Sequence, residues 1–395
     1  MTRALLALSA LGALCGVPAC GSPPKVVKHP EADAKRDAHA KLTDARDAAK
    51  RNEYEEADQA YEAAYKLGKD YEVLEERVDF LVHAGLASRA VDAAKTYYDG
   101  HATDPKGYAL YAEALIAAGN GADALEIANQ LVQLADADAA AHDKRGRALL
   151  LLDKADEGLD ELRKATAIEP NNAAYHLSLG SALRQLGKTE EAQIEFRRAV
   201  REAPDDAASH VLLGAALRDM GELDESKKEL DKARELDANN GRAYFELGLL
   251  YDKQANEAEA ENMLQKAVQK SPKESLFWYA YGQIFQGQDR IDEAIRAYKT
   301  AIDIDPPYPK ALMKLGLLLV KRKEWDEAER VLTLAVRRQP KEALNYENLG
   351  AVYAAKGKNQ QAIENYELFL KYAKKDDADR SRVREAIDKL KRRKT

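Results

Sequence analysis

Residues 275–308 read SLFWYAYGQIFQGQDRIDEAIRAYKTAIDIDPPY, and this stretch decides the fold. Leu276, Trp278, Tyr281, Gly282 and Phe285 fall along one helical face. Ile291, Ala294, Ile295, Tyr298, Ala301 and Ile302 do the same in a second segment, beyond a polar turn. Asp305 followed by Pro306 and Pro307 stops that second helix, because proline lacks the amide donor and its ring clashes with the preceding turn. A hairpin of two such helices cannot bury both apolar faces alone. It needs copies of itself on either side.

The copies stand 34 residues apart: Leu179-Gly180, Leu213-Gly214, Leu247-Gly248, Tyr281-Gly282, Leu315-Gly316 and Leu349-Gly350. Downstream of each Gly a small residue recurs (Ala192, Ser226, Ala260, Ala294, Ala328, Ala362), then another (Ala199, Ala233, Ala267, Ala301, Ala335), until Phe369 breaks the series. Many units end in proline: Pro170, Pro204, Pro272, Pro306, Pro340. Gly146 with Ala165, Ala112 with Ala124, and Val78 with Ala90 extend the series upstream; Tyr54, Ala57, Tyr61 and Ala64 mark a first copy. This pattern resembles the tetratricopeptide repeat (TPR) family, whose helix-turn-helix unit has this length. The resemblance implies an all-α, right-handed α-solenoid of about ten units over residues 37–376.

The recurring small residues have a physical reason. Glycine inside a helix costs about 1 kcal/mol against alanine, so its return at one place in unit after unit marks a close helix crossing, where a side chain must be missing. Gly85, Gly119, Gly187, Gly221 and Gly357, near the turns, suit a left-handed residue ending a helix. These positions are architecture.

Before the repeats, Met1 to Cys20 carries one positive charge, Arg3, and an apolar run from Ala4 to Val17. The run is shorter than the roughly 20 residues a membrane span takes, and it reads as a secretory signal peptide. Val17-Pro18-Ala19-Cys20-Gly21 resembles a bacterial lipoprotein cleavage box. That resemblance implies lipid attachment at Cys20 and, with Gly21 after it, sorting to the outer membrane, facing the periplasm. Val17-Pro18-Ala19 also suits an ordinary signal peptidase, which would release a soluble periplasmic protein. The two cysteines, Cys15 and Cys20, both lie here, so the mature chain is expected to have no disulfide. Residues 21–36 read as a flexible tether. Residues 377–395 read as a basic capping helix with Val383, Ile387 and Leu390 inward, covering the end of the solenoid. Its tip, Lys389, Lys391, Arg392, Arg393 and Lys394, reads as a solvated face; the alternative is a contact with anionic lipid or a partner's acidic patch.

With 33% charged residues and a net charge of −7, the chain is unsuited to general nucleic-acid binding. It has no glycine-rich phosphate loop, no His-Glu-x-x-His helix and no nucleophile elbow. No stretch outside the repeats is long enough for a catalytic domain. We therefore expect no enzyme, no cofactor and no small-molecule substrate. His142, His176 and His210, each 34 residues from the next, are too far apart for one metal ion. Tyr244, Trp278 and Tyr346 hold the same place in other units, so the histidines are expected to fill a packing slot.

The expected partners are other proteins, held in the groove formed by the first helices. Transferring the family's ligand-facing places onto this chain gives an acidic patch of Glu72, Glu75, Glu76 and Asp79 in unit two; its bland alternative is a solvated helix face. Units five and six would present Leu177, Ser181 and Arg184, then Val211, Ala215 and Arg218. Units seven to nine would present Phe245, Leu249, Tyr279, Gln283, Met313 and Leu317. Phe245 and Tyr279 are expected to be exposed apolar anchors, and Arg184 and Arg218 to orient an acidic partner. The Lys and Asn clamp of chaperone-type TPR proteins is absent from the matching places. The expected role is a lipid-anchored scaffold assisting an envelope complex, in pilus or secretin, outer-membrane assembly or peptidoglycan machinery. The alternative is a non-catalytic subunit delivering substrate to an envelope enzyme.

Overall fold

The computed structural model describes residues 30–304 and 308–392. Among these residues there are 21 α-helices and no strand: ten successive helix pairs and a final single helix, Asp379–Arg392. The fold is an all-α, TPR-like solenoid. Cys20 and the signal segment lie outside the described residues.

The tether is shorter than the sequence reading has it. The first helix begins at Pro30 and runs to Lys50, inside the span taken as flexible. Proline is accommodated in a first helical turn, where its missing amide is not needed. Residues 21–29 lie outside the description.

The chain divides into two compact bodies, one ending at Arg77 and one beginning at Val78. In the first, Ala45, Ala48, Ala57, Tyr61 and Ala64 form the core. Arg77 Nε donates to the buried Asp58 carboxylate at 2.7 Å. Arg46 binds Glu76 through two nitrogens, at 2.8 and 2.7 Å, and the Tyr61 hydroxyl donates to the same carboxylate at 2.9 Å.

In the second body the repeat is visible in how each helix starts and ends. Asp104, Asp138, Asn172, Asp206 and Asn240 cap the first helices of units three to seven, their side chains accepting backbone amides of the first turn. The turn inside each unit needs one left-handed residue. Gly85, Gly119, Gly187, Gly221 and Gly357 supply it as expected, but Asp153, Ala255, Asp289 and Lys323 take the same conformation without being glycine. At Ala255 and Lys323 that conformation costs roughly 1 kcal/mol.

The glycines inside the first helices lie under a large side chain of the second helix. A Cβ built on Gly180 would come within 2.7 Å of Phe196, on Gly248 within 2.6 Å of Leu264, on Gly282 within 2.6 Å of Tyr298, and on Gly350 within 2.7 Å of Tyr366. The missing side chain admits a ring or a leucine as well as a close backbone. Ser226, where most units have Ala, is fully buried and donates from Oγ to the Gly214 carbonyl at 2.7 Å.

The last helix buries Val383, Ile387 and Leu390 together with Phe369, as a cap should. At its tip Lys391 lies 3.6 Å from Glu367.

Candidate partner-binding face

In units three to eight and in unit ten, the first helix is pinned to the turn that precedes it by one side chain. In the third unit the Tyr108 hydroxyl donates to the carbonyl of Ala102, six residues back, at 2.8 Å. Tyr244 does so to Ala238 at 3.3 Å, Trp278 Nε1 to Pro272 at 2.8 Å, and Tyr346 to Pro340 at 2.9 Å. His142, His176 and His210 occupy the same slot, through Nε2, to Asp136, Pro170 and Pro204 at 2.9, 2.8 and 2.9 Å. The packing-slot reading of the histidines is therefore right but incomplete, because the slot is a hydrogen-bonding one. The prolines that punctuate the sequence are often its acceptors.

The histidines also make a second bond. Nδ1 faces Glu161, Glu195 and Glu229 of the second helices at 2.7, 2.6 and 2.7 Å. Burial disfavours the Glu161 charge, yet His142, Lys164 and Arg145 around it bring its carboxyl down to about 2. Among the described residues no group of acidic, His or Cys side chains is arranged to hold a metal ion.

The residues expected on the first-helix face differ in how far they are exposed. Phe245 and Tyr279 are core, not exposed anchors: Phe245 is 3% exposed and stacks on Phe277 with centroids 4.5 Å apart. Tyr279 is 8% exposed, packed between Tyr298 and Tyr308 at 5.8 and 5.0 Å. Val211 and Ala215 are buried as well. Consecutive first helices lie close enough for a large side chain at these places to fill the space between units. An apolar pattern alone does not separate that environment from a groove.

Arg218 is likewise not presented to a partner. It is buried and ion-paired with Glu246, which is 1% exposed, and with Asp219 at 2.8 Å. Arg184 also binds Asp219, at 2.7 Å, and Arg242 binds Glu246 at 2.8 Å. Arg184, Arg218 and Arg242, from units five, six and seven, thus share two carboxylates and fasten three first helices together.

What remains reachable is a row of less prominent residues. Ser181 and Gln283 are exposed, and Leu177, Arg184, Leu249, Met313 and Leu317 are partly so. In unit four the same face carries Arg147 and Lys144, both bound to Glu113 of unit three, each at 2.6 Å. Although burial disfavours its charge, Glu113 is held well below the usual carboxylate range by Lys144 and Arg147. In the first body Glu72 and Glu75 are exposed, but Glu76 is taken up by Arg46 and Tyr61. Asp79, in the second body, is exposed and lies 3.2 Å from His83.

The sequence reading missed a cleft of about 780 Å³ among Ile302, Leu312, Leu315, Val331 and Leu334, with Lys299, Asp326 and Glu327 also lining it. These apolar residues have the period of a core face, so no sequence signal marked the cleft.

Family models match three stretches of the chain. Two are described as tetratricopeptide repeat, over residues 144–207 and 207–240; the third, over 244–371, is the middle TPR-like domain of cilia and flagella-associated protein 70. The chain carries tetratricopeptide repeats. Among solved structures, the Cut9–Hcn1 hetero-tetramer of the APC/C is similar with a TM-score of 0.57 at 17% identity, over 75% of this chain and 59% of that one. The human IFIT1 dimer with PPP-AAAA is similar with a TM-score of 0.52 at 19% identity, over 76% of this chain and 72% of that one. At these identities the likeness concerns the TPR fold. No curated protein matches the chain.

Proposed function

We propose that the chain is a protein-binding TPR scaffold without catalysis of its own, taking peptide or helical segments of other proteins on the first-helix face of units five to nine. The observation carrying this reading is the row Leu249, Gln283 and Leu317 at 34-residue steps, with Ser181 two steps before it across the buried Ala215, which stays reachable while the larger side chains beside it go into the core. Buried aromatic and Arg residues usually dominate interface energies. Here those residues stiffen the platform, and contact falls to smaller side chains around them. Arg184, partly exposed and shared with Asp219, is the cation best placed to meet an acidic segment.

The test is a photo-cross-linking residue at Gln283, compared with the same residue at Ile194, which is 51% exposed on a second helix. Partner adducts should form from Gln283 in cells and disappear when excess unlabelled chain competes. Equal adducts from Ile194, or none from Gln283, would place binding elsewhere.

The further part of the proposal is anchoring in the bacterial envelope through lipid on Cys20, with the scaffold serving an envelope machine. It rests on the sequence Val17-Pro18-Ala19-Cys20-Gly21. Several acyl chains are needed for stable anchoring, since one holds only weakly. Cys20→Ser should shift the protein from the membrane fraction to the soluble periplasm. If the substituted protein still floats with membranes, anchoring has another cause.

A further inference from the structure

Two clefts lie at the same place in different units, and their linings differ. In unit four a cleft of about 380 Å³ is lined by Asn129, Arg145, Glu157, Asp160, Glu161 and Lys164. Five 34-residue steps on, the cleft of about 780 Å³ in unit nine has Lys299, Leu315, Glu327, Arg330, Val331 and Leu334 at those places. The unit-four floor is charged and committed, since Arg145 and Lys164 bind Glu161 and His142 meets the same carboxylate. In unit nine Leu315, Val331 and Leu334 stand where Arg145, Glu161 and Lys164 stood. That floor is apolar.

The slot that ties a first helix to its turn differs as well. Units three to eight and unit ten fill it with a tyrosine, histidine or tryptophan ring, but unit nine has Leu312. Leu312 is buried at the bottom of the cleft beside Leu315, while Ile302 and Leu334 stay partly exposed at its walls. Charges at the rim are already taken up by one another. Glu327 lies 2.8 Å from Lys299 and 3.3 Å from Arg330, Asp326 lies 2.6 Å from Lys356, and Glu329 lies 2.9 Å from Lys358. What an incoming group meets is therefore apolar surface, at a place where the other units pack a ring.

We propose that the unit-nine cleft takes an aromatic side chain of another protein, which supplies from outside the ring that Leu312 does not. An aromatic side chain buries about 150–250 Å², and the cleft has the volume to receive one. The ring does not come from the chain's own undescribed residues, because 1–29, 305–307 and 393–395 contain no Phe, Tyr or Trp. The site opens between the second helices of units eight and nine, Ile291–Asp303 and Trp325–Arg338. It is thus separate from the first-helix face and goes beyond the reading given for that face.

The test is methyl NMR on the full chain, with N-acetyl-tryptophanamide as the probe and N-acetyl-leucinamide as its control. The methyl signals of Leu312, Leu315, Val331 and Leu334 should move and saturate with the tryptophan amide, while those of Leu249 and Leu317 stay. The leucine amide should bind at least about threefold more weakly, because it buries less apolar surface. Leu312→Tyr puts the chain's own ring in place and should abolish the response. In cells, a photo-cross-linking residue at Thr333, on the cleft wall, should give partner adducts that fall by about tenfold in the Leu312→Tyr chain, as loss of an aromatic anchor predicts. Adducts from Gln283 report the first-helix face separately, so either site can fail without the other. Unmoved cleft signals, equal binding of the two amides, or Thr333 adducts that are absent or survive Leu312→Tyr overturn the proposal. Cleft signals that move on dilution of the protein alone assign the cleft to a second copy, which also overturns it. The comparison of the two amides uses the unsubstituted chain and does not depend on the variant folding.

Discussion

The double substitution Phe245→Ala/Tyr279→Ala should melt the array well before it affects any binding. Removing a buried phenylalanine costs about 3–5 kcal/mol through lost transfer energy and the cavity left behind, and a buried tyrosine a comparable amount. Phe245 stacks on Phe277, and Tyr279 holds Tyr298 and Tyr308, so both cavities open in one apolar cluster that runs from unit seven to unit ten. Because each unit is stabilised by its neighbours, the loss should appear as a separate early transition of the later units rather than a uniform shift. Circular dichroism melting, with hydrogen exchange resolved by unit, reads both. An unchanged melting temperature would return these two rings to the surface and reopen their role as anchors.

Gly282→Leu should have an effect of similar size from the opposite cause. A Cβ there would already come within 2.6 Å of the Tyr298 ring, which is fully buried and hydrogen-bonded through its hydroxyl to Gln286 at 2.8 Å. The ring has nowhere to retreat, so the helices of unit eight must separate. Overpacking of this kind costs about 1–3 kcal/mol, and separating the helices exposes the second-helix face as well. Denaturant titration should show a lower midpoint, with the greatest loss of protection in units seven to nine. Tyr298→Ala in the same chain should recover part of the stability by making room. If it recovers none, the glycine serves something other than this ring.

Helix positions and repeat number were legible in the sequence because they rest on period alone. Gly180, Gly248 and Gly282 announced a missing side chain, and the gap each leaves is filled by a ring or a leucine of the second helix. The face was less legible, because the place that faces a ligand in one unit can face the neighbouring unit in the next. Phe245 and Tyr279 show this: apolar residues at groove places are exposed only if the adjacent helix stands back, and that distance is not written locally. Arg218 was misread for a related reason. Its partner Glu246 lies 28 residues on, and no local rule pairs them. The histidine slot was half legible, since the 34-residue step gave the position but not the glutamate across the hairpin or the carbonyl behind it. Residues at the turns were the least predictable: Ala255 and Lys323 adopt a left-handed conformation that their side chains argue against, because the repeat imposes it.

That imposed turn has a consequence for inheritance. The left-handed residues at 85, 119, 153, 187, 221, 255, 289, 323 and 357 stand in strict step. An in-frame duplication or loss between any two of them would rejoin like with like. The helical glycines would again lie under a large side chain of a second helix. A slip of a single residue would instead move a side chain into the gap beneath Tyr298 or Phe196. The number of units is thus free to drift over generations, while the spacing within a unit is not.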